Sequence, residues 1–366
     1  MSDKRYKRLG NYIELVQERN KGAHITNLMG VSIAKKFIPS IANIIGTDLS
    51  TYRIVHPGNF AFCPVTSRNG EKITIARYKG DEDCIISQAY LPFRVIDENK
   101  LDPDYLMMWV MRSEFDRYAR FHSHGSVREL FSWEEMCNVY LPIPSIEEQR
   151  KIVAEYQAVE QRIENNNRLI KALEDTAQAI YHHTFVENID PENLPEGWKH
   201  DLFYTYFSCK YGKGLATEFV EDLGIYPVYG ANGIIGYYDK NTINDYKVLI
   251  TSRGSGSGDI LRTFYKNAFV TNNAFVVEAK PDYDYCELPF IYCLLLRANI
   301  RQYVSGSAQP QLTNNDLNSF YIEMPPKTLV QNFCRQTNDL FNQTYNLFKE
   351  NSVLNKTKEI LLSKLS

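Results

Sequence analysis

From Ser145 onward the apolar positions keep a strict spacing. Ile152, Tyr156, Val159 and Ile163 are followed by Ile170, Leu173, Ala177 and Ile180, and the steps alternate between three and four once Asn166 is included. That is a 3.5-residue period, which predicts a long helix with a coiled-coil seam rather than a globular helix face. Ser145 is a suitable N-cap, and Glu147 and Glu148 fall at the positive end of the helix dipole. Asn166 would lie in the seam, where a polar residue fixes register at some cost in stability. A second run follows Pro325-Pro326, with Phe333, Leu340, Leu347, Leu354 and Leu361 each seven apart and Phe341 and Phe348 widening the stripe. Between these runs the pattern changes to short strand-like segments: YRIV (Tyr52–Val55), KITIARY (Lys72–Tyr78), KVLITS (Lys247–Ser252) and AFVVEA (Ala274–Ala279). Gly- and Asn-rich turns such as GANGIIGYY (Gly230–Tyr238) separate them.

The pattern occurs twice. A shift of 181 residues superimposes Gly125 on Gly306, Ser126 on Ser307, Phe131 on Leu312, Met136 on Leu317, Tyr140 on Tyr321 and Pro144 on Pro325. Upstream, IISQAYLPFRV (Ile85–Val95) is similar to FVTNNAFVVEA (Phe269–Ala279). PDYLMMWVMRS (Pro103–Ser113) is similar to LPFIYCLLLRA (Leu288–Ala298) as a buried helix. The predicted organisation is a duplicated domain-plus-helix unit: a domain over 1–144, a helix over 145–187, a domain over 188–325 and a helix over 326–366. The fold class is mixed α/β, with curved sheets in both domains. Each helix of about 40 residues spans roughly 60 Å at 1.5 Å per residue. The first carries the chain out of one domain and the second can return antiparallel, giving a pseudo-twofold pair that holds the domains apart.

Composition adds limits. With 366 residues and 44% hydrophobic content, two domains can each bury a core. No apolar run is long enough for a membrane span, and MSDKRYKRLGNY has no signal core. The seven cysteines are scattered without a C-x-x-C pair, so a reduced cytoplasm is expected. Net charge is −3, a poor footprint for a nucleic-acid binder acting alone. It divides unevenly: +2 over 1–144, −3 over 145–187, −5 over 188–325 and +3 over 326–366.

Catalytic motifs are weak. DPDY (Asp102–Tyr105) lacks the second proline of an adenine methyltransferase loop and reads as an N-cap with Pro103 at N1. SRGSGSG (Ser252–Gly258) has no Lys-Ser/Thr and no following helix, so it is a hairpin turn or a backbone cradle for a DNA phosphate. Asp83 with Glu98 and Lys100 has nuclease-like spacing, but DENKLDP reads as a solvated turn. His122 and His124 show no third ligand and read as a polar loop, so no metal is assigned. Two similar domains on a rigid spacer without chemistry describe a bivalent binder. A duplex, whose grooves recur every 34–36 Å or so, is its natural ligand. The alternatives are a coiled-coil interaction scaffold with two non-DNA ligand domains, and a stand-alone modification enzyme.

The chain resembles the specificity subunit of Type I restriction–modification enzymes. The resemblance rests on GSAQPQLTNNDLNSFYIEMPP (Gly306–Pro326) and LPIPSIEEQRKIVAEYQAVEQRIENNNRLIKALEDTAQAIYHHTF (Leu141–Phe185) and extends over essentially the whole length. Glu148, Gln149, Lys151 and Ile152 fit the family's helix-opening motif, whereas the second copy has Val330-Gln331-Asn332-Phe333. The resemblance implies two target recognition domains, each reading half of a split site on double-stranded DNA. It also implies two methyltransferase subunits and a restriction subunit as partners. S-adenosylmethionine, ATP and Mg would serve those partners, and this non-catalytic chain would carry no cofactor.

Base and phosphate contacts are expected from polar groups on loops around each sheet. In the first domain these are Lys35, Lys36, Ser67, Arg68, Asn69, Arg77, Lys79 and Arg128. In the second they are Lys210, Lys213, Asn232, Ser252, Arg253, Ser255, Gln309 and Gln311. Arg suits guanine, and Asn or Gln suits adenine. Gln309 and Gln311 have a second possible role, fixing the domain to the base of the helix. Arg150, Arg162, Arg168 and Lys171 on the first helix are the expected partner contacts.

Overall fold

The computed structural model describes residues 6–40, 46–67, 72–125, 129–306 and 309–365. Arg68, Asn69 and Arg128 lie outside them. The chain divides into a unit of Met1–Ile163 with Val353–Ser366 and a unit of Glu164–Ser352, so each long helix contributes a segment to both.

In the first unit, β1 (Tyr6–Arg8), β2 (Ile13–Leu15), β3 (Met29–Val31), β4 (Phe37–Pro39), β5 (Arg53–Val55), β6 (Phe60–Phe62), β7 (Ile75–Arg77), β8 (Cys84–Ile86) and β9 (Leu91–Val95) precede α1 (Pro103–Met111), α2 (Ser113–Phe121) and α3 (Trp133–Cys137). β10 (Tyr140–Pro142) then leads into α4 (Ile146–Phe185). The main sheet has the order β2-β9-β6-β7. Its inner face places Phe60, Phe62 and Phe93 in a core with Leu106, Phe115, Phe131 and Trp133. Ile152, Val153 and Tyr156 from the start of α4 complete this core, together with Leu361, Leu362 and Leu365 from the end of the chain. Lys358 donates to Glu160 at 2.7 Å, so the two helical segments run antiparallel in this unit.

The second unit repeats the plan. It runs through β11 (Lys199–Leu202), α5 (Phe203–Tyr206), β12 (Phe207–Tyr211), β13 (Tyr226–Gly230), β14 (Gly233–Tyr238), β15 (Val248–Thr251), β16 (Ile260–Arg262), β17 (Phe269–Val270), β18 (Ala274–Ala279), α6 (Leu288–Arg297) and β19 (Tyr321–Met324) to α7 (Lys327–Ser363). Its main sheet, β12-β18-β15-β16, has the same order of first, last, middle and hairpin strand. The strand before each domain pairs with the strand before the long helix, β1 with β10 and β11 with β19. The β3–β4 hairpin matches the β13–β14 hairpin. Leu28 bridges Ile85 in parallel as β13 pairs β17 in parallel. The core is again aromatic, with Phe290 and Phe333 against Tyr181 and Phe185 of α4.

The long helices keep the expected period with one shift. Asn166 is buried, and its amide donates to Asn351 at 2.9 Å, while Asn351 donates to Asn167 at 2.8 Å. On α7 the heptad leucines 340, 347, 354 and 361 are only half-buried. The deepest heptad line is instead Thr337, Thr344 and Asn351. The hydroxyls of both threonines hydrogen-bond back to their own helix, at Phe333 and Phe341, which satisfies them without water. The leucines flank this line, because α7 must pack against its domain on one side as well as against α4.

Candidate nucleic-acid interface

Two loops are joined in the same way in both units. After β6 the chain passes Pro64 and Val65, and after β15 it passes Ser252 and Arg253. Opposite each runs the segment that begins with a glycine of positive φ, Gly125 (140°) or Gly306 (87°). At Gly306 a side chain would be forced to within 2.7 Å of the Gln309 carbonyl, so glycine is required there. His124 and Leu130 exchange backbone hydrogen bonds across the first segment, as Ser305 and Gln311 do across the second. Val65 bridges Leu130, and Arg253 bridges Gln311. The next residue then anchors the pair: Phe131 N–H donates to Pro64, and Leu312 N–H to Ser252, both at 2.9 Å. The same helical cap follows, with the Ser132 hydroxyl accepting from Glu135 N–H and Thr313 engaged with Asp316.

In the second unit this loop pair gathers most of the nominated residues. Arg253 and Ser255 are exposed, Gln309 is exposed, and Gln311 is half-buried with its backbone tied to Ser305. Thr251 donates to the Ala231 carbonyl at 2.9 Å, drawing the β13–β14 turn and its exposed Asn232 onto the loop. Lys213 is exposed where its backbone meets Thr271 and Asn272. Arg301 bridges to Asp259 at 2.8 Å and closes one side. The sequence reading missed Tyr211, which is exposed at the end of β12 beside Phe275 (ring centroids 4.2 Å). Burial raises its phenol pKa, and the charge of Arg253 opposes that. Its only sequence signal was a Tyr at a strand end.

Three nominated residues are committed elsewhere. Ser252 is fully buried and donates to the Asn272 carbonyl at 3.3 Å. Lys35 is buried, paired with Asp116 at 2.8 Å and hydrogen-bonded to the Val110 carbonyl; burial lowers its pKa against the pull of Asp116. Its adjacent lysine, Lys36, is the one exposed at the β3–β4 turn. Arg77 binds Asp104 at 2.7 Å and the Gly58 carbonyl at 3.2 Å. It occupies the position in β7 that Arg262 occupies in β16, since Arg77 pairs Phe60 and Arg262 pairs Val248. Arg262 is also an internal ion pair, on Glu174 at 2.7 Å. Lys79 is exposed at 3.8 Å from Asp104, and Lys210 at 3.8 Å from Glu278 beside Lys247. Ser67 is exposed in the first loop pair.

The weak catalytic motifs resolve structurally. Asp102 caps α1 by accepting from Asp104 and Tyr105 N–H. Ser252–Gly258 is the β15–β16 turn, followed by a strand. Asp83 pairs with His56, whereas Lys100 pairs with Asp97.

A family model described as the Type I restriction modification DNA specificity domain matches residues 38–175 and 207–333, most of the chain and both repeats. The chain belongs to this family. Its members are specificity subunits, which leave catalysis to partner subunits. One relative, the type I restriction enzyme MjaIX specificity subunit of Methanocaldococcus jannaschii, is 24% identical over 304 residues, covering 74% of this chain and 70% of the relative. The EcoprrI specificity subunit of Escherichia coli is 30% identical over 105 residues, 29% of this chain and 25% of its own length. The crystal structure of the type I S subunit from M. genitalium shares the fold at a TM-score of 0.56 and 18% identity, over 98% of this chain and 95% of that one. The family's helix-opening motif has a visible purpose here. Gln149 is fully buried, accepts from Asp102 N–H at 2.9 Å and donates to the Lys100 and Pro144 carbonyls at 3.0 and 2.9 Å. In the second repeat Val330 takes this position in the aromatic core, so the departure from the motif substitutes apolar packing for an amide clamp. Of the nominated partner contacts, Arg150 is exposed near Asn99, Arg168 pairs with Glu164, Lys171 pairs with Asp175 at 3.1 Å, and Arg162 is exposed. Among the described residues, no helix is long and apolar enough to cross a membrane.

Proposed function

We propose that each unit reads one half of a bipartite double-stranded DNA target. The chain then directs two methyltransferase subunits, and a restriction subunit with them, to that target. The observation that supports this most directly is the recurrence of one loop pair, joined by the same backbone contacts, in both units. In the second unit it gathers Asn232, Arg253, Ser255 and Gln309, groups suited to base edges in the major groove. The exposed charges of α4, Arg150, Arg162, Arg168 and Lys171, are the proposed methyltransferase contacts. S-adenosylmethionine, ATP and Mg2+ act in the partner subunits, and the assembly works in the cytoplasm. Net charge of −3 leaves the isolated chain few phosphate contacts, so tight binding requires the basic surface of a partner. Mobility shift of duplex DNA by the chain alone, by the chain with its methyltransferase, and by the Arg253→Ala complex tests this. Specific retention is expected only for the wild-type complex, with loss of about 1–3 kcal/mol for the variant. Equal retention of target and scrambled duplexes by all three samples would leave the chain as a scaffold.

A further inference from the structure

We propose that His122, His124 and Glu135 bind one divalent transition-metal ion of the zinc type. Their ligand atoms all lie within 4.8 Å of one another. His122 Nδ1 is already 3.4 Å from a Glu135 oxygen. Each position is held by its backbone. His122 ends α2, with its ring on Tyr118 at 4.2 Å. Ser123, between the histidines, donates to the Ala119 carbonyl at 2.7 Å and accepts from Thr66 at 3.0 Å. His124 is fixed by its two backbone bonds with Leu130, and Glu135 by the Ser132 cap. Two segments, the stretch that ends α2 and the first turn of α3, therefore bring two imidazoles and a carboxylate to one point. A tetrahedral Zn2+ with bonds of about 2.0–2.1 Å holds its donors about 3.3 Å apart. The exposed His124 side chain can supply the contraction.

The fold does not demand this set. In the second repeat, on the same scaffold, the corresponding positions are Tyr303, Ser305 and Asp316, and Asp316 is engaged with Thr313. Imidazole and carboxylate together suit Zn2+, Co2+ or Ni2+ better than Mg2+ or Ca2+, and three protein ligands leave a fourth position for water. The ion would join the end of α2 to the first turn of α3, beside the first reading loop. An ion pair of His122 with Glu135 alone would leave His124 without a role, and that difference is measurable.

The test uses the tag-free full chain, stripped with chelator and titrated with Co2+, then competed with Zn2+. Visible d–d absorption saturating at one equivalent is expected, with a Zn2+-dependent rise in melting temperature. His124→Ala and Glu135→Gln should each weaken Co2+ binding by more than about tenfold, the least that even an outer-shell partner costs. His182→Ala with His183→Ala should not change it. Metal-free melting of each variant checks that it is folded. Absence of saturable absorption in the wild type, or wild-type affinity in both folded ligand variants, would overturn the proposal.

Discussion

Gln149 shows how one side chain can join a domain to a helix. It is fully buried and satisfies three backbone groups from three places in the chain: Lys100, Asp102 and Pro144. Replacement by leucine strands those groups, each at about 1–3 kcal/mol. Gln149→Leu should lower the unfolding midpoint of the chain in urea, whereas Gln331→Leu, exposed on α7, should change it little. His56 is a milder case, set between Asp83 at 2.8 Å and Glu18 at 3.2 Å. Burial lowers its pKa, but hydrogen bonding and charge from Asp83, then Glu18, outweigh that and leave it raised. The imidazolium therefore stabilises the fold below the unfolded value of about 6.5 and loses that effect as pH rises through the folded value. Its side chain is still 37% exposed, so the effect is small. The melting temperature of wild type should exceed that of His56→Gln at pH 6 or so and converge with it as His56 deprotonates. A constant difference across that range would show that His56 contributes only packing. Neither role was legible in the sequence. Gln149 entered only as part of a motif, and the three groups meeting at His56 are distant in the chain.

The long helices were the most legible elements, because a 3.5-residue period survives in the sequence whatever the helix packs against. The face was less legible. Leucine spacing pointed to 340, 347, 354 and 361, yet the heptad line that is buried along its length runs through Thr337, Thr344 and Asn351. A helix held on two sides has two apolar stripes, and the most buried line between them can be polar when its groups are satisfied. Arg262 explains Thr344. Its guanidinium donates to Glu174 of α4 and to Thr344 of α7, under the rings of Phe264, Tyr292, Phe341 and Tyr345. Removing one partner of a buried pair costs about 3–5 kcal/mol, because the other charge stays buried. Glu174→Ala should therefore destabilise more than Glu174→Ala with Arg262→Met, measured as a double-mutant cycle in urea. If the double variant is as unstable as the sum of the singles, the pair is not coupled.

At the level of the whole chain, duplication made the fold legible. A shift of 181 residues aligned the Gly125 and Gly306 loops and the junctions from Tyr140 to Pro144 and from Tyr321 to Pro325 before each long helix, and these coincide in the structure, which adds the matching caps at Ser132 and Thr313. The expected DNA contacts were harder, because a lysine in a turn looks the same whether it faces water or Asp116. Lys35 and Arg77 went inward, while Lys36, Asn232, Arg253 and Gln309 remained exposed. Each unit has its own loop pair on its own aromatic core, so changes in the two should act independently. Asn232→Ala with Arg253→Ala should relax the methylated motif at one half only. Lys36→Ala should leave the bases of both halves unchanged. If Lys36 contacts a phosphate, that variant should instead weaken binding about uniformly across sequences and reduce the salt slope by about 1. Methylation mapping of cells expressing each variant with its methyltransferase, together with salt titrations of binding, measures both effects. Loss at both halves from the Asn232 and Arg253 changes would mean that the two units do not read separately.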